Sequence, residues 1–231
     1  MIAYRFVAAV ALAATVAGST WADAPSRIHT FKRVQLSPEF VAEGAAVGDL
    51  NGDGRLDLVA GPYWYPGPEY LERHEIYPPK SFDINGYSDN FVAHVADFNA
   101  DGRQDVFVVG FPGEEAAWFE NPGDAGGSWP RHMALGVVDN ESPLLCNLTG
   151  DGLPELVCMS QGRLGYAEIN ADQPGEPWIF HPVSPDRGYG RFTHGLGAGD
   201  VNGDGRLDFL ETDMPNWCNL NGLLLDNGHD V

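Results

Sequence analysis

Four nine-residue segments present oxygen-bearing side chains in the same order, and that order suits a hard cation. They are Asp49–Asp57 (DLNGDGRLD), Asp97–Asp105 (DFNADGRQD), Asn147–Glu155 (NLTGDGLPE) and Asp200–Asp208 (DVNGDGRLD). Positions 1, 3, 5 and 9 are Asp49, Asn51, Asp53 and Asp57; Asp97, Asn99, Asp101 and Asp105; Asn147, Thr149, Asp151 and Glu155; and Asp200, Asn202, Asp204 and Asp208. Position 7 (Arg55, Arg103, Leu153, Arg206) can add its backbone carbonyl. Calcium takes six to eight oxygens at about 2.3–2.6 Å, and alternate residues of a tight loop can converge on one ion. Glycine at position 6 lets the chain turn through positive φ, where a Cβ would clash. The expected cofactor is therefore calcium, up to four ions. The third loop replaces two aspartates and carries two carboxylates where the others carry three, so its affinity should be lowest.

The loops are not EF-hands. Only the fourth has an acid, Glu211, at position 12, and the approach to it, Gly195-Leu196-Gly197-Ala198-Gly199, is poor helix material. The elements that must hold the loops are strands. The loops' first residues lie 48, 50 and 53 apart, a repeat of the length of a propeller blade. Short apolar runs flank each loop: Ala45–Val47 and Leu58–Ala60, Phe91–Ala96 and Val106–Val109, Leu144–Cys146 and Leu156–Cys158, Leu196–Ala198 and Phe209–Leu210. These are strand lengths bounded by Gly and Pro. Third strands follow at Trp64-Tyr65 and Ala117–Glu120, each running into a Pro-Gly turn, and a W-x-x-H pattern at 129–132 and 178–181 marks fourth strands. The expected class is all-β: a β-propeller of four-stranded blades with calcium-binding hairpin loops and four repeat units.

These loops, each followed by a hydrophobic strand, resemble the FG-GAP/VCBS-repeat β-propellers, the fold of the integrin α-subunit head. The resemblance covers residues 27–231. A weaker similarity points to the propeller part of aldos-2-ulose dehydratases. The FG-GAP/VCBS resemblance implies metal hairpins on one face of the propeller and the starts of the innermost strands on the other, around the axis. Six residues before the loops stand Glu43, Phe91, Glu141 and His194, with Asp89, Asn90, His94, Asn140 and Arg191 close by. Loops after the second strands add Tyr63, Trp64, Glu114, Glu115, Arg163 and Asp213. Aromatic rings, carboxylates and cations there suit a polyhydroxylated ligand. Glu43, Glu141 and His194 are the candidates for acid–base chemistry, and His194 and Glu43 do not recur across the repeats, so the fold does not demand them. Two functions stay open: a binding module for a glycan or protein, or a carbohydrate-active lyase or dehydratase. His132 and His181, in the repeated pattern, read as structural.

Residues 1–22 read as a signal peptide, with Arg5, an apolar stretch at 6–18 and a small residue, Ala22, for cleavage. The expected location is secreted or periplasmic. The formal net charge is −20, and eleven of the 33 acidic residues lie in the four loops. So acidic a surface makes nucleic acid and anionic membranes poor partners. The three cysteines show no metal spacing, and a Cys146–Cys158 disulfide is open beside buried thiols. Residues 27–31 could supply a fourth strand to the last blade. A closed four-bladed ring and a part of a larger propeller both remain open.

Overall fold

A computed structural model describes residues 31–123, 127–212 and 222–225. The targeting segment, Arg27–Thr30, Asp213 and Cys218 lie outside the described residues, and Phe31 carries no strand. The chain divides into Met1–Gln35 and Leu36–Val231, and every described strand belongs to the second unit.

Four antiparallel sheets follow one another along the sequence. The first joins β1 (Ala45–Gly48), β2 (Asp57–Ala60), β3 (Tyr63–Tyr65) and β4 (His74–Glu75) in that order. The second joins β5 (Val92–Ala96), β6 (Asp105–Val109), β7 (Glu114–Phe119) and β8 (Arg131–Val138). The third joins β9 (Leu144–Cys146), β10 (Glu155–Ser160), β11 (Arg163–Glu168) and β12 (Ile179–Pro182). The fourth has three described strands, β13 (Leu196–Gly199), β14 (Asp208–Thr212) and β15 (Gly222–Leu225). These are propeller blades in an open array. Among the described residues there is no α-helix, and none that is long and apolar enough to cross a membrane.

The second strand of each blade explains how neighbours pack. In the second and third blades it reads as an uninterrupted apolar run because both of its faces are covered. Successive side chains point to opposite faces. Thus Val106 and Val108 turn towards the first blade, packing with Leu50, Val59 and Ile76. Phe107 and Val109 turn towards the third blade, packing with Leu156, Cys158 and Trp178. Val157 and Met159 continue the alternation towards Phe209 of the fourth. The strands expected on either side of the four loops, and the third and fourth strands expected in the second and third blades, form. The W-x-x-H segments divide their labour: Trp129 and Trp178 wedge against the preceding blade, while His132 stacks on Trp118 and His181 on Tyr166. His74 stacks on Trp64 in the same way. Cys146 and Cys158 are free thiols, and burial pushes both up in pKa.

Candidate functional site

The first, second and fourth loops are built alike. Asp53 N–H donates to Asp49 Oδ1 and to Asn51 Oδ1, both at 3.0 Å, and Gly54 N–H donates to Asp49 Oδ2 at 2.8 Å. The same contacts link Asp97, Asn99, Asp101 and Gly102, and again Asp200, Asn202, Asp204 and Gly205. The backbone thus draws the side-chain oxygens of positions 1 and 3 over the loop. Position 6 takes positive φ throughout, from 81° at Gly54 to 102° at Gly152. So does position 4, where Ala100 stands at 58° in place of glycine. The third loop departs from this plan. Asn147 Oδ1 receives Gly150 N–H, as Asp200 Oδ1 receives Gly203 N–H, and Glu155 receives Leu148 N–H as the position-9 aspartates receive theirs, but Glu155 also accepts the Thr149 hydroxyl.

Position 9 turns inward. Asp57 and Asp105 are fully buried. Asp57 accepts Leu50 N–H and Gly67 N–H, each at 2.9 Å. Asp105 accepts Phe98 N–H at 3.0 Å and Asn121 N–H at 2.8 Å. Burial pushes the Asp105 carboxyl up to about 7 against the pull of those two donors, and the charges of Asp101 and Asp97 add to the rise. Position 5 turns outward: Arg55 pairs with Asp53 at 2.9 Å and Arg103 with Asp101. The Arg55 hydrogen bond holds the Asp53 carboxyl below the usual carboxylate range. With one carboxylate turned in and one turned out, no group of three or more His, Cys, Asp or Glu converges as a metal site among the described residues.

The starts of β5 and β13 lie at the other ends of the blades from the loops, because each loop joins the far ends of a first and second strand. The side chains there sort differently from the sequence expectation. Glu141 and His194 do meet, His194 Nδ1 lying 3.2 Å from Glu141 Oε2. Glu43 joins neither of them. Its carboxylate accepts the Ser88 hydroxyl and Ser88 N–H, and its own N–H donates to the Asn90 carbonyl at 3.1 Å. Glu141 N–H donates to the Thr193 carbonyl at 3.2 Å, the same backbone contact two junctions further on. The residue six before the loop thus makes the same backbone contact at the first and third junctions, while the two carboxylates have different partners, Ser88 and His194. Asn90, Asn140 and His94 are held inside: Asn140 Oδ1 accepts Met159 N–H, and Asn90 donates to the Tyr77 hydroxyl. His94 Nε2 is buried without a hydrogen-bond partner, and burial holds its pKa down. Tyr63 packs beside Tyr65 under Arg73, and Trp64 borders a cleft beside the first loop.

What assembles instead is an aromatic cluster. Phe91 and Phe111 pack edge to face, Tyr87 lies 4.7 Å from Phe111, and Phe192 lies 5.6 Å from it. Tyr87 and Phe192 are exposed, at 64% and 47%. Arg191 reaches Glu114 beside them at 3.2 Å. Its guanidinium lies over Gly113, where an added Cβ would fall 2.1 Å from Nε. A cleft of about 760 Å³ opens alongside, lined by Tyr87, Phe111, Lys80, Asp89, Glu115 and Arg131 among others. Lys80 pairs with Asp89, and Arg131 with Glu115. Tyr87 and Phe192 went unseen in the sequence because each stands in a connecting segment with no counterpart in the other repeats.

An FG-GAP repeat model matches residues 41–70, and an FG-GAP-like repeat model matches 147–210. The chain carries FG-GAP repeats in these two segments. A search of curated proteins finds no match. Among solved structures, an Agrocybe aegerita lectin that recognises non-reducing terminal N-acetylglucosamine matches at 21% identity and TM-score 0.43, over 71% of this chain and 45% of the lectin. The Photorhabdus luminescens Tc holotoxin pore matches at 20% identity and TM-score 0.41, over 72% of this chain and 8% of that one. The chain thus spans less than half the length of either.

The FG-GAP hairpins fit a hard cation in the chemistry of their donors. Asp49, Asn51 and Asp53 offer side-chain oxygens, each with a lone pair beyond its backbone contact. In the fourth hairpin Asp208 is fully buried with Oδ2 on Val201 N–H, and its Oδ1 has no hydrogen-bond partner. The corresponding oxygens of Asp57 and Asp105 are satisfied by the turn after the third strand.

Proposed function

We propose that this FG-GAP array is an exported calcium-binding module that binds a glycan on the face opposite its hairpins. The observation that carries the reading is the exposed aromatic cluster of Tyr87, Phe91, Phe111 and Phe192, flanked by the Arg191–Glu114 pair and the charged cleft. Aromatic faces stack on sugar rings, while fixed charges orient hydroxyl groups. Asp49, Asn51 and Asp53, with their counterparts in the second and fourth loops, would hold calcium, which neutralises crowded carboxylates and braces the hairpins. The signal-like residues 1–22 support export, where calcium is abundant. A glycan array probed with the full-length protein in millimolar calcium tests this. Binding should appear and should fall at least tenfold in Tyr87→Ala and Phe192→Ala, with both variants folded. No binding to any glycan, or binding unchanged in both variants, would remove the reading.

A second reading, a lyase or dehydratase, rests on the Glu141–His194 pair at 3.2 Å, an arrangement able to pass a proton. Glu43 has no part in it, being engaged with Ser88. Ultraviolet absorbance from an unsaturated sugar product, lost in His194→Ala, would support catalysis over binding alone.

A further inference from the structure

Asn51-Gly52, Asn85-Gly86 and Asn202-Gly203 are the Asn-Gly pairs of the described residues; Asn221 and Asn227, which precede Gly222 and Gly228, lie outside them. At such a pair a chain can attack itself, because glycine has no side chain to hinder its own nitrogen. The surroundings then decide whether it does. The glycine N–H must be free to lose its proton, which a hydrogen bond to an acceptor opposes. The asparagine side-chain carbonyl must be open to attack, which a donor on its oxygen favours by stabilising the negative charge that develops there.

The first and fourth loops share the run Asn-Gly-Asp-Gly-Arg-Leu-Asp, so sequence alone gives Asn51 and Asn202 equal reactivity. In both, the side-chain oxygen accepts the N–H two residues on, from Asp53 at 3.0 Å and from Asp204 at 2.9 Å. The glycine nitrogens differ. Gly203 N–H is held by Asp200 Oδ1 at 2.7 Å, and Gly86 N–H by the Asp83 carbonyl at 2.9 Å. In the first loop the Asp49 oxygens accept Asp53 N–H and Gly54 N–H instead, and Gly52 N–H has no hydrogen-bond partner among the described residues. Asn51 and Gly52 are exposed, and a Cβ on Gly52 would meet nothing within 4 Å, so water has access to both. In the second loop Asn99 is followed by Ala100, whose methyl group stands where the others leave room.

We propose that Asn51 is a site of spontaneous deamidation, which sets a covalent timer in the first hairpin. Gly52 N attacks Asn51 Cγ. The N–Cγ bond forms, the Cγ–Nδ2 bond breaks, and ammonia leaves with the proton that Gly52 gives up. Water then opens the cyclic imide. Cleavage of the new N–Cγ bond leaves aspartate. Cleavage of the original main-chain bond leaves isoaspartate, whose chain runs through Cβ and Cγ and is one atom longer. Either way one water is consumed for each ammonia released. The longer chain carries Asp53 N–H away from Asp49 Oδ1, a contact that shapes the loop.

Peptide mapping by mass spectrometry tests this on the full chain, aged in mildly alkaline buffer with chelator so that no cation holds the loops. The peptide holding Asn51 should show the amide-to-acid mass gain, with an isoaspartyl fraction, at least tenfold faster than those holding Asn85 and Asn202. In denaturant Asn51 and Asn202 should react at equal rates, since their sequences match. Gly52→Ala should slow Asn51 to the rate of Asn99, and Ala100 shows that an alanine fits that position of the loop at positive φ. Asn51 and Asn202 reacting alike in the folded chain would overturn the proposal, as would an Asn51 no faster than Asn99. A difference that persists in denaturant would overturn it too, because the folded geometry would then not be its cause.

Discussion

Asp53 and Asp57 stand in the same loop, yet their surroundings give them opposite tasks. Asp57 is sealed in and satisfies two backbone donors, Leu50 N–H and Gly67 N–H. Asp57→Ala leaves both donors stranded, each costing about 1–3 kcal/mol, so the variant should lose about 2–6 kcal/mol even in chelator. Asp53→Ala alters a carboxylate at the surface paired to Arg55 and should cost much less than Asp57→Ala in chelator. In calcium, however, it should lose one bound ion. Denaturant midpoints with and without chelator, together with ion counts by mass spectrometry, separate the two. Equal losses in chelator would refute the division. The spacing of oxygens at positions 1, 3, 5 and 9 was legible in the sequence. The inward turn of position 9 was not, because it is fixed by N–H groups ten to sixteen residues further on, in a turn whose residues differ from blade to blade.

At the level of the element, strands were legible and junctions were not. Apolar runs such as Val106–Val109 announce a strand covered on both sides, and the repeated tryptophans announce wedges. What joins the starts of the first and second blades is Ser88, which has no counterpart in the repeat and so gave no signal. It is buried, its hydroxyl donates to Glu43, and it also receives Glu43 N–H at 3.2 Å. Ser88→Ala should therefore lower the denaturant midpoint by the equivalent of about 1–3 kcal/mol, while Glu43→Gln, which keeps an acceptor, should cost less than about 1 kcal/mol. Glycan binding should survive in Glu43→Gln. Its loss without any change in stability would return Glu43 to the binding face, where the sequence had placed it.

For the whole molecule, calcium should decide the melting temperature. With a dissociation constant near 10⁻⁴ M and millimolar calcium, each filled hairpin adds about 1.4 kcal/mol by mass action. Three such sites amount to a large share of the margin of about 5–15 kcal/mol typical of a domain. Chelation should lower the melting temperature markedly, and an unchanged scan would dismiss the cation. The four-unit period was plain in the sequence, but whether the ends meet was not, since that depends on faces and not on spacing. The order of the sheets carries one more consequence. Every blade packs against the blades next to it in sequence, so the array can assemble as it leaves the ribosome. At about 5–20 residues per second, a blade of this length emerges in some 3–10 s. During that interval the newest blade presents an apolar flank that only its successor will hide. A pause in translation between Val109 and Leu156 would leave Phe107 uncovered, and that is when a chaperone should be found on the nascent chain.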